Sequence, residues 1–318
     1  MPENILSLII PTYNERDNIQ PLIERLNRTL AGRKYEIIFV DDNSKDGTVD
    51  VIANLASQYP VKVVVRKSER GLATAVLHGL KFAQGNIVGV MDADLQHPPE
   101  EIPKLLEKLS EGYDVVYGTP EKEQHGFWRD MASRITKLAL QSAMGGETAR
   151  HASAFRVFRT RVRDAFVQYQ GAFVSIDVLL TWGTTRFTST PVRHQPRQAG
   201  ASNYTLRKLV VHALNMMTGF SVLPLQLTSV IGFAFTLFGI GILIYVVGRY
   251  FLDGGSVPGF PFLASVIAIF SGAQLLALGI IGEYLARMHF RLMDRPSYVI
   301  RDDAGEWPKS DDRRSNVH

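Results

Sequence analysis

Short apolar runs alternate with amphipathic segments over about the first 200 residues of the chain. Runs of five or six mainly apolar residues are typical of strands buried on both faces of a sheet. The intervening segments space apolar residues three and four positions apart, which places them on one helical face. The pattern predicts strands at 5–10, 36–40, 61–65, 87–91 and 113–118. It predicts helices at 15–30 and 71–83, and between them a helix that ends near residue 58.

Strands that are separated by helices predict right-handed crossovers and a mostly parallel sheet. We therefore expect an α/β domain with a Rossmann-like sheet, in which Ser44 or Asp46 caps the second helix. Ligands of such sheets bind at the carboxyl ends of the strands. The residues that directly follow each predicted strand are therefore the first candidates for function.

Two long stretches near the C-terminus, Ala213–Gly248 and Gly254–Gly282, contain no charged residue. Each exceeds the roughly 20 apolar residues that cross a bilayer, so the pattern predicts transmembrane helices at about 225–248 and 262–284. Residues 204–220 mix basic and apolar side chains, which is typical of an amphipathic helix in the membrane interface. A plain linker helix is the alternative for that segment.

Basic residues flank both predicted spans. They are Arg193, Arg197, Arg207 and Lys208 before the first span, and Arg287, Arg291 and Arg295 after the second. Flanks rich in Lys and Arg stay cytoplasmic, so both termini are expected inside and the connecting loop outside. No signal peptide is expected at the N-terminus. The predicted divisions are a cytoplasmic N-terminal domain at 1–203, an interfacial segment at 204–224, the spans within 225–286, and a cytoplasmic tail at 287–318.

Composition narrows the possible chemistry. The 318 residues carry a net charge of +4 and contain no cysteine, which excludes disulfide scaffolds, thiolate nucleophiles and thiolate zinc sites. No GxGxxG follows the first predicted strand, and the chain has no GxxxxGK[ST] motif. These absences argue against a dinucleotide-binding enzyme and against a P-loop nucleotidase.

Acidic residues follow three of the predicted strands, within residues 11–15, 41–48 and 92–96. Carboxylates that lie close together repel and raise one another's pKa, so a cation or a ligand's hydrogen-bond donors would best explain the cluster. Asp92 and Asp94 can hold one hard divalent ion, and Gln96 can add a neutral oxygen. Aspartates at strand ends are also common as caps and turn residues, which is the alternative.

Four ordered motifs and the C-terminal layout carry a resemblance to a known family. The motifs are PTYNERDN, DDNSKDGT, RGLATAVLHGLKFAQGN and MDADLQHPPEEIP, and the chain ends in GEYLARMHFRLMDRPSYVI. Together they resemble the inverting nucleotide-sugar glycosyltransferases of family 2. The closer resemblance is to polyisoprenyl-phosphate glycosyltransferases related to dolichol-phosphate mannose synthase, in the subgroup with two C-terminal spans. It covers about residues 5–300.

The resemblance implies a GT-A domain at the inner membrane that transfers a sugar to a polyprenyl phosphate. The expected donor is a UDP-hexose, the expected carrier is undecaprenyl phosphate, and the expected assembly is a homotetramer without nucleic acid. The implied donor-binding residues are Pro11, Tyr13, Glu15, Asp42, Arg70, Gly71 and Asp92. The implied ligands of Mg²⁺ or Mn²⁺ are Asp92, Asp94 and Gln96. Pro11 and Tyr13 could instead simply shape a turn.

The implied acceptor-phosphate residues are Arg134, Arg197 and Ser202, and Asp94, Arg134 and Arg197 are the implied catalytic residues. Two of these arginines also have a non-catalytic alternative. Arg134 could pair with Asp130 one helical turn away. Arg197 could be an interfacial arginine whose head group only reaches for water.

The chain departs from the family pattern at three places. Residues 150–156 lack the acid that the family often carries there, Pro120 stands where relatives often have Arg, and Asn203 where many have Lys. A phosphate monoester is already anionic near neutral pH, so the acceptor needs positioning rather than deprotonation. His151 is a candidate for that positioning. Asp177 is a further acid whose place the sequence leaves open.

Two rival functions remain. A processive polysaccharide synthase is disfavoured because its Gln-x-x-Arg-Trp motif is absent and two spans are too few for a polymer pore. The departures at 150–156, Pro120 and Asn203 motivate the other rival, a catalytically inactive membrane scaffold or sugar-binding partner. The intact acidic clusters argue against that scaffold.

Overall fold

The computed structural model describes residues 5–67, 71–120, 152–166, 169, 175–195, 223–253 and 259–292. Its strands are β1 (Leu6–Thr12), β2 (Tyr35–Asp41), β3 (Val61–Val65), β4 (Ile87–Val90), β5 (Val115–Pro120), β6 (Arg156–Arg159) and β7 (Phe187–Val192). Its helices are α1 (Arg16–Thr29), α2 (Thr48–Leu55), α3 (Leu72–Leu80), α4 (Ile102–Ser110), α5 (Thr160–Arg163), α6 (Ile176–Gly183), α7 (Leu223–Asp253) and α8 (Phe260–Leu292). A 3₁₀ turn at Pro99–Glu101 precedes α4.

These strands form one sheet in the order β3-β2-β1-β4-β6-β5-β7. β6 is antiparallel to both of its neighbours, while the other pairings are parallel. The mostly parallel α/β sheet predicted from the hydrophobic pattern is therefore confirmed. The carboxyl ends of β1, β2, β3 and β4 consequently lie along one edge, and the loops that follow them face the same side.

The five predicted strands and three predicted helices are present, with ends shifted by a few residues. The pattern missed β6, β7, α4, α5 and α6. β6 has only four residues with Arg at both ends, and β7 is a half-buried strand of mixed polarity. Neither strand shows the continuous apolar run that marks a strand buried on both faces.

Helices cover both faces of the sheet. Leu8 and Ile10 face a core that contains the buried side of α1 and α4, whereas Ile9 faces a second core with α3 and α6. This alternation follows from the two-residue period of a strand. A Cβ atom at Gly79 would lie 2.6 Å from Ile9 Cγ2, so the close approach of α3 to the sheet requires glycine there.

The two predicted membrane spans lie within α7 and α8. The apolar windows of these helices are Pro224–Leu252 and Ile269–Ala286, and neither is buried by the rest of the described chain. Their length, composition and exposure fit a bilayer rather than the core of a soluble domain. The helices contact each other and enclose a cleft of about 770 Å³ that Phe235 and Phe270 help to line. Most of the predicted interfacial segment, at 204–224, lies outside the described residues.

Candidate functional site

The loop after β1 (residues 13–15, the β1 loop) and the loop after β2 (residues 42–47, the β2 loop) are bound together around the buried Asp41. One carboxylate oxygen of Asp41 accepts hydrogen bonds from Thr12 Oγ1 at 3.0 Å and from Ser44 Oγ at 2.6 Å. Its other oxygen accepts the backbone N–H of Ser44 at 2.8 Å. Asp41 therefore stabilises the conformation of the two loops.

Further hydrogen bonds join the two loops along their length. The N–H of Glu15 donates to Thr48 Oγ1 at 3.0 Å, and the N–H of Arg16 donates to Asp46 at 3.1 Å. Gly47 holds the N-cap position of α2, which was predicted for Ser44 or Asp46, and Asp46 just before it accepts the N–H of Thr48 at 3.0 Å. Burial alone would raise the pKa of Asp46, but the hydrogen bonds from Thr48 and Arg16 bring that pKa below its usual value.

The predicted donor-binding residues of the β1 loop occupy different environments. Pro11 is buried at the end of β1, whereas the Tyr13 side chain is 39% exposed. Glu15 Oε2 accepts a hydrogen bond from Asn18 Nδ2 at 2.6 Å and is tied to the first turn of α1. An exposed ring beside a rigid backbone is suited to stacking on a planar ligand.

Asp42, the first residue of the β2 loop, is bound by a buried arginine that follows β3. Arg66 is fully buried, and its Nε and Nη2 both donate to Asp42 Oδ1, the former at 2.7 Å. The N–H of Gly71 donates to Asp42 Oδ2 at 2.9 Å. Arg66 also donates to Thr74 Oγ1 at 2.8 Å and to the Gly71 carbonyl at 3.0 Å. This cluster fixes the start of α3 to the sheet edge.

The contacts of Asp42 leave part of its carboxylate open. A carboxylate offers about four acceptor positions. Arg66 uses two on Oδ1 and Gly71 uses one on Oδ2, so these hydrogen bonds among the described residues leave one position on Oδ2. Burial raises the pKa of Asp42 above its usual value, although the Gly71 N–H and Arg66 oppose that shift.

The loop after β4 (residues 91–98, the β4 loop) presents its polar side chains differently. Asp92, Asp94 and Gln96 are partly exposed and alternate with the buried Met91, Ala93, Leu95 and His97. Asp94 Oδ1 accepts the N–H of Gln96 at 3.1 Å, and Leu95 has a left-handed φ of 61°. This tight turn places the three polar residues at alternate positions of one loop.

The donor set of the β4 loop fits a hard divalent cation. Two carboxylates and one carboxamide offer only oxygen, which Mg²⁺ and Mn²⁺ accept in preference to softer ligands. Within the described ranges, no group of three or more His, Cys, Asp or Glu is placed to enclose a metal ion. Mg²⁺ prefers octahedral coordination, so an ion held by Asp92, Asp94 and Gln96 would keep positions for ligand oxygens.

Asp177, whose place the sequence leaves open, lies beside this loop. β6 pairs with β4 so that Arg156 is opposite Val90, and Arg156 forms an ion pair with Asp177 from the first turn of α6. Burial, with Asp177 as a further cause, raises the pKa of Tyr117 well above its usual value, so this tyrosine stays protonated. Asp177 is therefore engaged with Arg156 in an ion pair.

Several predicted site residues lie outside the described residues. They are Arg70, Arg134, Arg197 and Ser202, together with Arg150, His151 and Asn203 of the departures from the family pattern. Sequence reasoning missed Arg66, which links β3 to the β2 loop. Its signal was an arginine directly after the apolar run of β3, at the edge of the sheet where ligands bind in such folds.

Similar proteins cover most of this chain. The model of "Glycosyl transferase family 2" matches residues 7–169. An undecaprenyl-phosphate 4-deoxy-4-formamido-L-arabinose transferase of Klebsiella pneumoniae is 32% identical over 94% of this chain and 94% of its own. A transferase of the same name from Pseudomonas syringae is 31% identical over 94% of this chain and 90% of its own.

The fold of the described domain also has solved relatives. Glucosyl-3-phosphoglycerate synthase from Mycobacterium tuberculosis, in complex with Mn²⁺, UDP-glucose and phosphoglyceric acid, aligns with a TM-score of 0.53 at 17% identity. The alignment covers 68% of this chain and 78% of that one. At this identity the likeness concerns the fold, which is the GT-A arrangement that the sequence predicts.

Proposed function

The chain belongs to glycosyl transferase family 2, and we propose that it transfers a sugar from a nucleotide sugar to the phosphate of a membrane polyprenol. One observation carries the proposal: the partly exposed oxygen ligands of the β4 loop lie beside two rigid loops, in a chain with two bilayer-length helices. The names of the relatives support undecaprenyl phosphate as acceptor. We propose a UDP-hexose as donor.

The β1 and β2 loops are proposed to hold the nucleotide. The exposed ring of Tyr13 is suited to stacking on a base, and the remaining position on Asp42 Oδ2 can accept an N–H from that base. Arg66 holds Asp42 in place before the ligand arrives, so little ordering cost falls on binding. Pro11, Glu15, Arg70 and Gly71 complete the proposed donor pocket.

The β4 loop is proposed to lie against the donor diphosphate. Asp92, Asp94 and Gln96 would hold Mg²⁺ or Mn²⁺, which when bound supplies Lewis-acid neutralisation of the leaving group. The tight turn at Leu95 keeps these ligands at fixed positions of the loop. Their partial exposure lets ligand oxygens reach them without unfolding the sheet edge.

The acceptor phosphate is proposed to attack the anomeric carbon on the face opposite the diphosphate, so that configuration inverts. A phosphate monoester with a second pKa near 6 is already charged and needs no base. The ion pair of Asp177 with Arg156 supports this, because the nearby acid is already engaged. Arg134, Arg197 and Ser202 are the proposed acceptor-phosphate contacts, a task suited to the planar arginine group.

Transfer by the purified full-length protein tests this function. Undecaprenyl phosphate and a panel of nucleotide sugars, including UDP-hexoses and a UDP-linked formamido-arabinose, are supplied with Mg²⁺ or Mn²⁺. We expect release of nucleoside diphosphate together with a glycosylated lipid, and loss of both on chelation. If no donor in the panel gives a lipid product while nucleotide binding persists, the inactive sugar-binding scaffold is the better description.

We propose that the protein lies in the inner membrane, with the catalytic domain and both termini on the cytoplasmic side. The basic flanks of the two spans support this orientation. A cysteine introduced at Ser256, in a chain with no natural cysteine, should react with an impermeant reagent in intact cells, whereas one in the N-terminal domain should not. The reverse labelling pattern would contradict the orientation.

A further inference from the structure

A nearly buried ion pair lies at the carboxyl edge of the sheet, on the strand next to β4. Arg156 is the first residue of β6 and lies opposite Val90, the last residue of β4. Its side chain is only 7% exposed and pairs through Nη1 with Asp177 Oδ1, in the first turn of α6. The Asp177 side chain is 21% exposed. The pair is therefore buried on the arginine side and reaches the surface on the acid side.

The guanidinium of Arg156 rests on the ring of Tyr117. Its central carbon lies 5.8 Å from the ring centroid, and Tyr117 is fully buried. The Tyr117 ring in turn stacks on Phe187 of β7, with centroids 6.4 Å apart. A cation over the face of a tyrosine is attracted by the quadrupole of the ring. Because Tyr117 and Asp177 both hold the guanidinium, its orientation is fixed before any ligand arrives.

Neither member of the pair uses all of its hydrogen-bonding groups. A guanidinium has five N–H donors, and a carboxylate has about four acceptor positions. Arg156 Nε donates to the carbonyl of Ala154 at 3.4 Å, and Nη1 donates to Asp177 Oδ1. These hydrogen bonds, among the residues that the structure describes, leave Arg156 Nη2 as a donor and Asp177 Oδ2 as an acceptor. A donor with little access to water is costly to leave without an acceptor, so the arrangement favours a ligand that supplies one.

The remaining donor and acceptor belong to a pair with no net charge. A phosphate would meet the negative charge of Asp177 as well as the positive charge of Arg156, so charge gives it no advantage here. A hydroxyl or amide group can donate to Asp177 Oδ2 and accept from Arg156 Nη2, which uses both groups. The chemistry of the pair therefore fits an uncharged polar ligand, such as the hydroxyls of a sugar.

The order of the strands aligns this pair with one end of a nucleotide sugar. β2, β1, β4 and β6 are consecutive neighbours in the sheet. The proposed nucleotide site lies at the loops after β2 and β1, and the proposed diphosphate site lies at the loop after β4. In a nucleotide sugar the sugar follows the diphosphate, so the next strand in this direction, β6, is where the sugar would lie. Arg156 begins β6, one strand spacing of about 4.8 Å from β4.

We propose that Arg156 and Asp177 bind hydroxyl or amide groups of the donor sugar and so contribute to the choice of sugar. This inference rests on the proposed function, from which it takes the direction of the donor across the sheet. Asp177 accepts a hydrogen bond in this account and keeps its charge, so no proton is transferred to it. Tyr117 is a positioning residue, because it acts through the guanidinium that it holds.

The opposite edge of the same sheet offers a matched control pair. Asp114 directly precedes β5, and its side chain is nearly buried. It accepts a hydrogen bond from Arg161 Nη2 of α5 at 2.7 Å. β6 is antiparallel to both β4 and β5, so the start of β5 lies at the amino edge of the parallel strands, away from the proposed donor site. Asp114→Asn and Arg161→Gln therefore break an ion pair without touching the candidate site.

Calorimetric titrations of the full-length protein in detergent, with Mg²⁺ throughout, test the sugar contact. The probes are UDP, which carries no sugar, UDP-glucose, and a UDP-linked formamido-arabinose. We expect the parent to bind at least one of the two nucleotide sugars more tightly than UDP. Arg156→Gln and Asp177→Asn should each raise the Kd of that nucleotide sugar about tenfold, as the loss of a hydrogen bond to a charged group predicts. The Kd of UDP should change less than about twofold in these variants, as should every Kd in the control variants.

A double variant separates sugar recognition from folding. Asp177→Asn alone leaves Arg156 nearly buried without its counter-ion, so its melting temperature is expected to decrease. Arg156→Gln combined with Asp177→Asn leaves no charge at the site. The double variant should therefore recover melting temperature relative to Asp177→Asn, while it still binds the nucleotide sugar weakly.

Three results would overturn the sugar contact. Equal increases in the Kd of UDP and of the nucleotide sugar would assign the pair to the diphosphate. Unchanged binding in both single variants would show that the pair only stabilises the fold. A parent that binds neither nucleotide sugar more tightly than UDP would show that no such contact forms. Because the titrations contain no lipid acceptor, a parent that binds the sugar through this pair but transfers none to the lipid would reject only the proposed function.

Discussion

The carboxyl end of β2 and the β4 loop both place two aspartates at the same edge of the sheet, but in different environments. Asp41 and Asp42 are buried, and Thr12, Ser44, Arg66 and Gly71 donate to their carboxylates. Asp92 and Asp94 remain partly exposed. Two acidic motifs that look alike in the sequence therefore differ in their surroundings: hydrogen bonds within the fold hold one, and the other is partly exposed.

The difference has a physical origin in the neighbouring strands. β2 lies between β1, whose last residue Thr12 donates its hydroxyl to Asp41, and β3, which is followed by Arg66, the guanidinium donor to Asp42. A buried carboxylate requires such donors, because burial without them costs several kcal/mol. The alternating burial of the β4 loop instead turns its polar side chains outward, which is the arrangement that a bound cation and diphosphate would use.

The largest effect is expected in the β4 loop. Asp94→Asn or Asp92→Asn should lower the transfer rate at least about 100-fold, because loss of a ligand charge removes several kcal/mol of transition-state stabilisation. Steady-state rates over a range of Mg²⁺ and Mn²⁺ concentrations measure this loss. The melting temperature should stay close to that of the parent. Parental rates without added metal would contradict the proposed role of these two residues.

The next largest effect is expected in the stability of the β2 loop. Arg66→Met leaves the buried Asp42 without its cation, and breaking a buried pair costs about 3–5 kcal/mol. Denaturant unfolding of the full-length protein measures the loss. Arg66→Met combined with Asp42→Asn should recover part of it, since no buried charge then remains. If the Arg66→Met protein is as stable as the Asp92→Asn protein, the acids of the two loops do not differ in their contribution to stability.

A smaller loss of stability is expected from Ser44→Ala. This change removes the hydroxyl that donates to Asp41 at 2.6 Å and accepts the N–H of Asn14 at 2.8 Å. A hydrogen bond to a charged group contributes about 1.5–3 kcal/mol. The free energy of unfolding should fall by that amount in Ser44→Ala. It should fall less in Ser110→Ala on α4, because that hydroxyl bonds only a local carbonyl. Equal shifts would show that the buried Asp41 does not depend on Ser44.

The smallest expected effect is the change of the melting temperature with pH. The pKa values of Asp46, Glu100, Glu101 and Asp114 are lowered in the folded chain. Such groups stabilise the fold above their unfolded pKa, and this contribution is lost as pH falls through the folded value. The melting temperature should therefore decrease below about pH 4.5. Asp46→Asn should weaken that decrease, whereas Asp42→Asn should strengthen it, because the raised pKa of Asp42 has the opposite sign.

The repeated pattern of apolar runs and amphipathic segments was enough to predict the parallel part of the sheet and the two long apolar helices. β1 to β5 follow from local runs of apolar residues, and α7 and α8 from charge-free stretches long enough to cross a bilayer. The family predicted from four ordered motifs is confirmed by the matching family model and by the relatives. These features depend on short-range order along the chain, which the sequence states directly.

Partners that are distant in sequence were decided only by the tertiary structure. The sequence by itself could place acids after strands, but it could not show that Arg66 binds Asp42 across 24 positions or that Arg193 binds Glu101 across 92. It also left Asp177 without a place until the pairing of β6 with β4 brought Arg156 beside the β4 loop. A side chain's partner depends on strand order and burial, and these arise when separate segments pack, so no local pattern records them.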